Sequence, residues 1–136
     1  MNDFVEEERA EIFTDLAETG ISVVSSVPIT GVIPPLEELR SYGVHVRIGC
    51  DNVYDSWSPF GTGKVTEKLN RYAEMFRLTK QDTLTHALDL ITGQPLLIEE
   101  GQPWLKEGMD ASFILVDSSS TAEFVARQND VNTSFF

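Results

Sequence analysis

The sequence is poor in cysteine, in basic residues and in long apolar runs, and each shortage excludes a class of protein. One Cys among 136 residues excludes an intrachain disulfide framework. Ten Lys and Arg against 22 Asp and Glu give a formal charge of -12, which repels nucleic-acid phosphates and anionic lipid surfaces. No apolar run approaches the roughly 20 residues that cross a bilayer. We therefore expect neither a nucleic-acid nor a membrane partner, and the acidic N-terminus with a lone thiol predicts a cytoplasmic protein.

The first 93 residues carry alternating helix and strand signals. The strongest is a strand over 21–26, a loop and short helix over Leu36–Tyr42, and a second strand over Val44–Cys50. Such a βαβ unit predicts two parallel neighbouring strands. Around it, apolar spacing predicts three further helices: one between Asp3 and Gly20, one between Val65 and Phe76, and one opened by a capping-box pair, Thr79 and Asp82.

The last 43 residues have a different, strand-rich pattern. Leu96–Ile98 and Phe113–Val116 are typical of buried strands, and the turn-rich stretch 107–110 separates them. A short helix is predicted over Ala122–Arg127. We expect a soft boundary near Gly93, with an α/β part over 1–93 and a β-rich tail over 94–136.

Asp51 is the sharpest candidate for chemistry, because it stands at the C-terminal end of a predicted parallel strand, where α/β proteins hold their active sites. It could be a metal ligand, a general base, or a loop-capping acceptor of backbone N–H groups. The following loop, 51–63, carries three aromatic residues. Of these, Trp57 could line a pocket or seat the loop on the core.

The remaining reactive residue types favour structural roles. The two histidines, His45 and His86, lack the His-x-His or His-Glu-x-x-His spacing of metal sites. We expect His45 to be packed and hydrogen-bonded on its strand, and His86 to be an ordinary surface or interface residue. Cys50 ends an apolar run, which favours a buried structural thiol over a reactive one.

The stretch 43–63 reads GVHVRIGCDNVYDSWSPFGTG and closely resembles the last barrel strand and following loop of cytosine deaminase-like enzymes of the amidohydrolase superfamily. The family pattern there is Gly-x-Asp-(Asp/Asn)-Val-x-Asp-x-Trp-x-Pro-x-Gly. The resemblance continues through Leu69–Asn70 and Thr83–Ala87. It extends to 105–117, which is similar to the family's return to a small β-sandwich, with Ser112 where Asp is usual.

The resemblance implies an α/β fold consisting of the last two strands and helices of a (β/α)8 barrel, followed by part of a small β-sandwich. It implies that Asp51 is the metal-binding aspartate, which also handles the proton of the hydrolytic water, and that Trp57 lies beside the substrate pocket. The family uses a divalent metal, zinc or iron, to hydrolyse C–N bonds of cyclic amidines or amides in small heterocyclic substrates.

The family's His-x-His pair, its further histidines and its acidic catalytic residue have no counterpart in this sequence. A divalent metal needs about three or four protein ligands. We therefore expect the chain to correspond to the C-terminal third of such an enzyme, with no bound metal and no activity alone. Unpaired barrel strands predict self-association or assembly with an N-terminal fragment. The alternative is a non-catalytic α/β assembly or binding module that retains only the barrel loop.

Overall fold

The computed structural model describes residues 6–93, 107–108 and 113–135. Within these ranges it contains six helices and four strands. In chain order they are α1 Glu6–Glu18, β1 Val23–Ser25, α2 Leu36–Ser41, β2 Val46–Ile48, α3 Val65–Met75, α4 Gln81–Ala87, α5 Asp89–Thr92, β3 Phe113–Val116, α6 Thr121–Arg127 and β4 Val131–Phe135. The described part is thus a mixed α/β structure, as the sequence predicts.

The predicted βαβ unit is confirmed. β1 and β2 pair in parallel with Val23 opposite Val46 and Ser25 opposite Ile48. Both strands are shorter than predicted, because the residues before each strand close the preceding helix. The Ile21 amide donates to the Leu16 carbonyl at the end of α1, at 3.0 Å. In the same way, the Val44 amide donates to the Leu39 carbonyl of α2, at 3.1 Å.

One face of the parallel pair builds the core. Val46 and Ile48 are buried, and they belong to one cluster with the buried side chains of α2. Successive side chains of a strand point to opposite faces of the sheet. The side chains between the buried ones therefore lie on the other face, where Val24 is 66% exposed. The sheet therefore has one packed face and one open face.

Helix α3 has the predicted amphipathic pattern, with Leu69, Tyr72 and Ala73 buried. The predicted capping box at the start of α4 is wrong. The helix begins at Gln81, after Lys80, and no side chain caps it. Asp82 accepts instead from the amide of the next residue, Thr83, at 2.8 Å, so its carboxylate is used within the first turn.

Helix α6 begins with a side-chain cap, because Ser120 Oγ accepts from the Glu123 amide at 3.1 Å. It packs on α3 and α4 and buries Ala122, Phe124 and Val125. These three side chains belong to the same cluster as the core of the βαβ unit. The described end of the chain therefore shares its core with the α/β part.

Strand β3 pairs in an antiparallel ribbon with β4, a strand that the sequence analysis did not predict. The strand predicted at Phe113–Val116 is confirmed, but it is less buried than predicted, since Ile114 and Leu115 are 40% and 45% exposed. A two-stranded ribbon leaves much of its surface uncovered. The predicted strand Leu96–Ile98 lies outside the described residues.

Within the described ranges, no helix combines the length and the apolar character needed to span a membrane.

Candidate functional site

The loop that follows β2 carries the predicted site residues. Asp51 follows β2 by three residues, and its side chain is exposed. Trp57 is 90% exposed, so it does not seat the loop on the core. His45 is also exposed, which contradicts the expectation of a packed strand histidine, because its side chain points to the open face of the sheet. His86 is exposed, as predicted.

A second aspartate, Asp55, fixes the shape of the loop. Its Oδ1 accepts from the amides of Trp57 and Ser58 at 2.9 and 3.0 Å. Its Oδ2 accepts from the side-chain amide of Asn52 at 2.7 Å. The bond from Asn52 and the bonds from the two backbone amides lower the pKa of Asp55 below its ordinary value. Asp55, and not Asp51, is therefore the loop-capping aspartate.

Asp51 has none of these bonds. No hydrogen bond or ion pair joins its carboxylate to another described residue. Of the three roles left open by the sequence, the capping role is taken by Asp55.

A contact of the Cys50 thiol closes the base of the 51–63 loop. Cys50 is half-buried, and its Sγ donates to the carbonyl of Gly63 at 3.2 Å. The thiol therefore has a structural contact, as predicted, although it is less buried than predicted. The contact joins the two ends of the 51–63 loop.

A chain of polar contacts connects this loop to the one after β1. Glu67 Oε2 accepts from the amide and hydroxyl of Thr62 at 3.0 and 2.8 Å, and these bonds lower the pKa of Glu67. Glu67 Oε1 pairs with Arg71 Nη2 at 3.4 Å. Arg71 Nη1 donates to the carbonyl of Val27 at 3.3 Å. The two loops that follow the parallel strands are thus tied to one helix, α3.

Val27 itself is a strained residue. It is fully buried and has a φ of 49°, a left-handed conformation that β-branched residues rarely adopt. Its amide donates to Ser25 Oγ at 3.2 Å, and its carbonyl accepts from Arg71. Strain at the C-terminal end of a strand, held by contacts on both sides, is typical of residues near functional sites.

A groove of about 530 Å³ lies between the loop, α3 and the end of α6. Neither Asp51 nor Trp57 lines it. Among its charged groups, Lys64 is already paired: its Nζ lies 2.7 Å from Asp130 Oδ1, which raises the pKa of the lysine and lowers that of the aspartate. The groove is therefore a junction between elements that is separate from the predicted site residues.

A catalytic metal does not fit the residues that the structure describes. Across the ranges 6–93, 107–108 and 113–135, no three His, Cys, Asp or Glu side chains lie close enough to hold a metal ion. Asp51 could supply one carboxylate ligand, which is fewer than a catalytic zinc or iron site needs. A metal at Asp51 would require ligands from elsewhere.

The sequence analysis missed two residues that shape the loop: Asp55 and Glu67. The signal for Asp55 was available, because an Asp followed by Ser and Pro residues, here Ser56, Ser58 and Pro59, is typical of a turn in which the carboxylate accepts from backbone amides. Glu67 carried no such signal. Its partner Thr62 lies in the loop 51–63, so its role depends on how the loop folds back on α3.

Comparison with known proteins gives one relative of similar sequence. No family model matches the chain. The chain is 40% identical over 132 residues to the uncharacterized protein YahJ of Escherichia coli K12. The match includes 96% of this chain and 29% of YahJ. The chain therefore spans less than a third of this relative.

Two solved enzymes are similar in structure. N-isopropylammelide isopropylaminohydrolase from Burkholderia multivorans superimposes with a TM-score of 0.73 and 28% identity, over 93% of this chain and 33% of the enzyme. The 5-methylcytosine deaminase from Klebsiella pneumoniae, liganded with phosphonocytosine, gives a TM-score of 0.71 and 25% identity, over 98% of this chain and 36% of the enzyme. The described α/β structure thus matches about a third of deaminases of the amidohydrolase family, and its similarity supports an origin in a related hydrolase family.

Proposed function

We propose that this chain is the C-terminal part of a metal-dependent, cytosine deaminase-like hydrolase that cleaves C–N bonds in cyclic amidines or amides. One observation carries the proposal: 93% of the chain superimposes on a third of an isopropylaminohydrolase at a TM-score of 0.73. Both similar enzymes are named for the removal of an amine or amino group, from N-isopropylammelide and from 5-methylcytosine. In this proposal, residues 1–93 belong to the barrel and 94–136 to a partial β-sandwich.

Asp51 and Trp57 are the residues that this chain would bring to the complete site. The Asp51 carboxylate is exposed and unbonded among the described residues, while the neighbouring Asp55 takes the structural role. Asp51 is therefore free to serve as a metal ligand and to accept a proton. Trp57 lies on the same loop and is 90% exposed, which suits a residue that is covered only when substrate or further protein is present.

The missing ligands would come from a larger assembly. The open face of the parallel pair and the free edges of β1 and β2 need further strands to cover them. Assembly with an N-terminal fragment is the partner we propose, and self-association is the outcome when no such fragment is present. The alternative, a non-catalytic α/β module, would keep the loop without any need for the missing ligands.

A chimera tests the proposal. In YahJ, the stretch that matches this chain is replaced by residues 1–136, and ammonia or amine release is measured with cytosine, 5-methylcytosine and N-isopropylammelide. We expect the chimera to hydrolyse at least one of these compounds, and the Asp51→Asn chimera to lose at least about 100-fold of that activity. Equal activity of the two chimeras would contradict the role of Asp51. A folded chimera with no hydrolase activity would favour the non-catalytic module.

A further inference from the structure

The loop 51–63 has no backbone hydrogen bonds of its own. It lies between β2 and α3, and among the described residues none of its amides or carbonyls bonds to another backbone group. Such a segment depends on side chains for its order. Tyr54 increases this dependence, because its φ of 47° is a left-handed conformation that costs free energy in a bulky residue.

The Asp55 carboxylate supplies bonds on both sides of its own position. Its Oδ2 accepts from the side-chain amide of Asn52, three residues earlier, at 2.7 Å. Its Oδ1 accepts from the amides of Trp57 and Ser58, at 2.9 and 3.0 Å. The strained Tyr54 lies between the two ends of the bond to Asn52. One carboxylate therefore holds the segment 52–58 in a single arrangement.

These bonds reach both of the residues that the proposed site takes from this chain. Asn52 directly follows Asp51, and Trp57 donates its own amide. In the part of the chain that the structure describes, no side chain other than that of Asp55 bonds to residue 52 or residue 57. The relative placement of Asp51 and Trp57 thus depends on one group.

We propose that Asp55 is a positioning residue, whose carboxylate holds Trp57 in a fixed placement relative to Asp51. The proposal rests on the proposed function only in naming these two residues as the groups that are positioned. The order of the loop can be measured without metal or turnover. A failure of that measurement leaves the hydrolase proposal untouched, and an inactive chimera leaves the measured order untouched.

NMR relaxation and amide hydrogen exchange of the 136-residue chain test the proposal. We expect Asp55→Ala to lower the backbone order parameters of Asp51 and Trp57 to below about 0.6, the range of flexible backbone. Exchange of the Trp57 and Ser58 amides should rise by about tenfold or more relative to the amide of Leu69, which is buried in α3 and reports global opening.

Three further variants separate the bonds. Asn52→Ala removes only the bond beside Asp51, so it should lower the order parameter there and leave Trp57 exchange within about threefold. Asp55→Asn should retain the order of the unsubstituted chain, because it keeps an acceptor for the backbone amides and the Asn52 amide can turn its oxygen toward the new donor. Asp82→Ala, which removes a carboxylate that accepts a backbone amide outside the loop, should leave the loop unchanged.

Unchanged order parameters at Asp51 and Trp57 in Asp55→Ala would overturn the proposal. So would exchange rates that rise equally at Leu69, because that result describes a residue that only stabilises the fold. If Asp55→Ala does not fold, the contrast between Asn52→Ala and Asp55→Asn decides, and equal order at Asp51 in these two variants would contradict the proposal.

The YahJ chimera adds a functional measurement. Asp55→Ala should raise KM by about tenfold when Trp57 is present and by less than about twofold in a chimera that already carries Trp57→Ala. Equal effects of Asp55→Ala in the two backgrounds would show that Asp55 does not act through Trp57.

Discussion

Val24 and Arg47 stand side by side in the parallel pair of β1 and β2, on the face opposite the core. Val24 is 66% exposed, while the flanking residues Val46 and Ile48 are buried on the opposite face. Gly49 lies close to Val24, and a Cβ there would approach its Cγ1 to 3.1 Å. A two-stranded sheet with one open face is a surface that further strands or another copy of the chain can cover.

The open face predicts how the isolated chain associates. Val24→Lys should shift an associated chain toward monomer in light scattering, because a charge on the open face opposes stacking. The free energy of unfolding should change by less than about 1 kcal/mol, because the site is exposed.

The buried face supplies the control for this experiment. Val46→Lys places the same charge at a residue that is 6% exposed, and it should unfold the chain. If Val24→Lys leaves the scattering mass of an associated chain unchanged, association does not use the open face.

The crowding at Gly61 predicts a large effect of a single methyl group. Gly61→Ala brings a Cβ to 2.6 Å from a backbone oxygen, that of Asn52, which cannot swing aside as a side chain can. We expect a loss of about 2 kcal/mol or more in the free energy of unfolding, measured with urea. Gly43→Ala is the matched control, since Gly43 has a φ of +86° and open space around it. It should lose only about 1 kcal/mol, and equal losses at the two sites would contradict the close approach at Gly61.

The hydrogen bonds from Thr62 to Glu67 predict that the free energy of unfolding depends on pH in the acid range. They lower the pKa of Glu67 below its ordinary value of 4.5, so the stabilisation is complete above that pH and is lost as the pH falls through the folded-state pKa. At neutral pH, Glu67→Gln should therefore lower the free energy of unfolding by about 1 kcal/mol. The difference from the unsubstituted chain should shrink steadily as the pH is lowered below 4.5.

Glu74→Gln controls for the removal of a charge from the same helix, since Glu74 is exposed. Its effect on unfolding should be within about 0.5 kcal/mol of zero. A Glu67→Gln difference that stays constant across the acid range would show that the bonds to Thr62 do not stabilise the ionised form.

The hydrogen bonds of the Asn70 side chain predict how firmly α6 is attached to α3. Its Nδ2 donates to the carbonyls of Val125 and Ala126 at 2.9 and 3.0 Å, and its Oδ1 accepts from Gln128 Nε2 at 2.7 Å. Asn70→Ala should cost about 2 kcal/mol in urea unfolding, because two carbonyls at a helix end lose their donor. Asn70→Asp should cost more, since it turns an acceptor toward those carbonyls. If Asn70→Ala lowers the free energy of unfolding no more than Asn132→Ala does at an exposed site, the bonds of Asn70 do not attach α6 to α3.

Much of the fold could be predicted from local signals. The apolar spacing over Val65–Phe76 and the β-branched runs around Gly43 predict α3 and the parallel pair, because both patterns reflect burial on one face. Strand β4 could not be found in this way. Its sequence, Val-Asn-Thr-Ser-Phe, is mostly polar, and it becomes a strand through pairing with β3.

The site was predicted less completely than the fold. Asp51 could be singled out by its position after a strand, but that Asp55, and not Asp51, caps the loop follows only from the bonds of Asp55. Glu67 fits no sequence pattern, since its bonds to Thr62 depend on a loop that folds back onto α3, which no local spacing encodes.

The central claim is that Asp51 supplies one ligand to a metal whose other ligands lie outside this chain. The most direct measurement is the zinc and iron content of the purified YahJ chimera that contains residues 1–136, compared with its Asp51→Asn variant, with Asp15→Asn, an exposed residue of α1, as the control. The account predicts about one metal ion per chimera and per control, and at least about a tenfold lower content in Asp51→Asn. Equal metal content in the Asp51→Asn chimera, or a tightly bound stoichiometric metal in the isolated 136-residue chain, would contradict it.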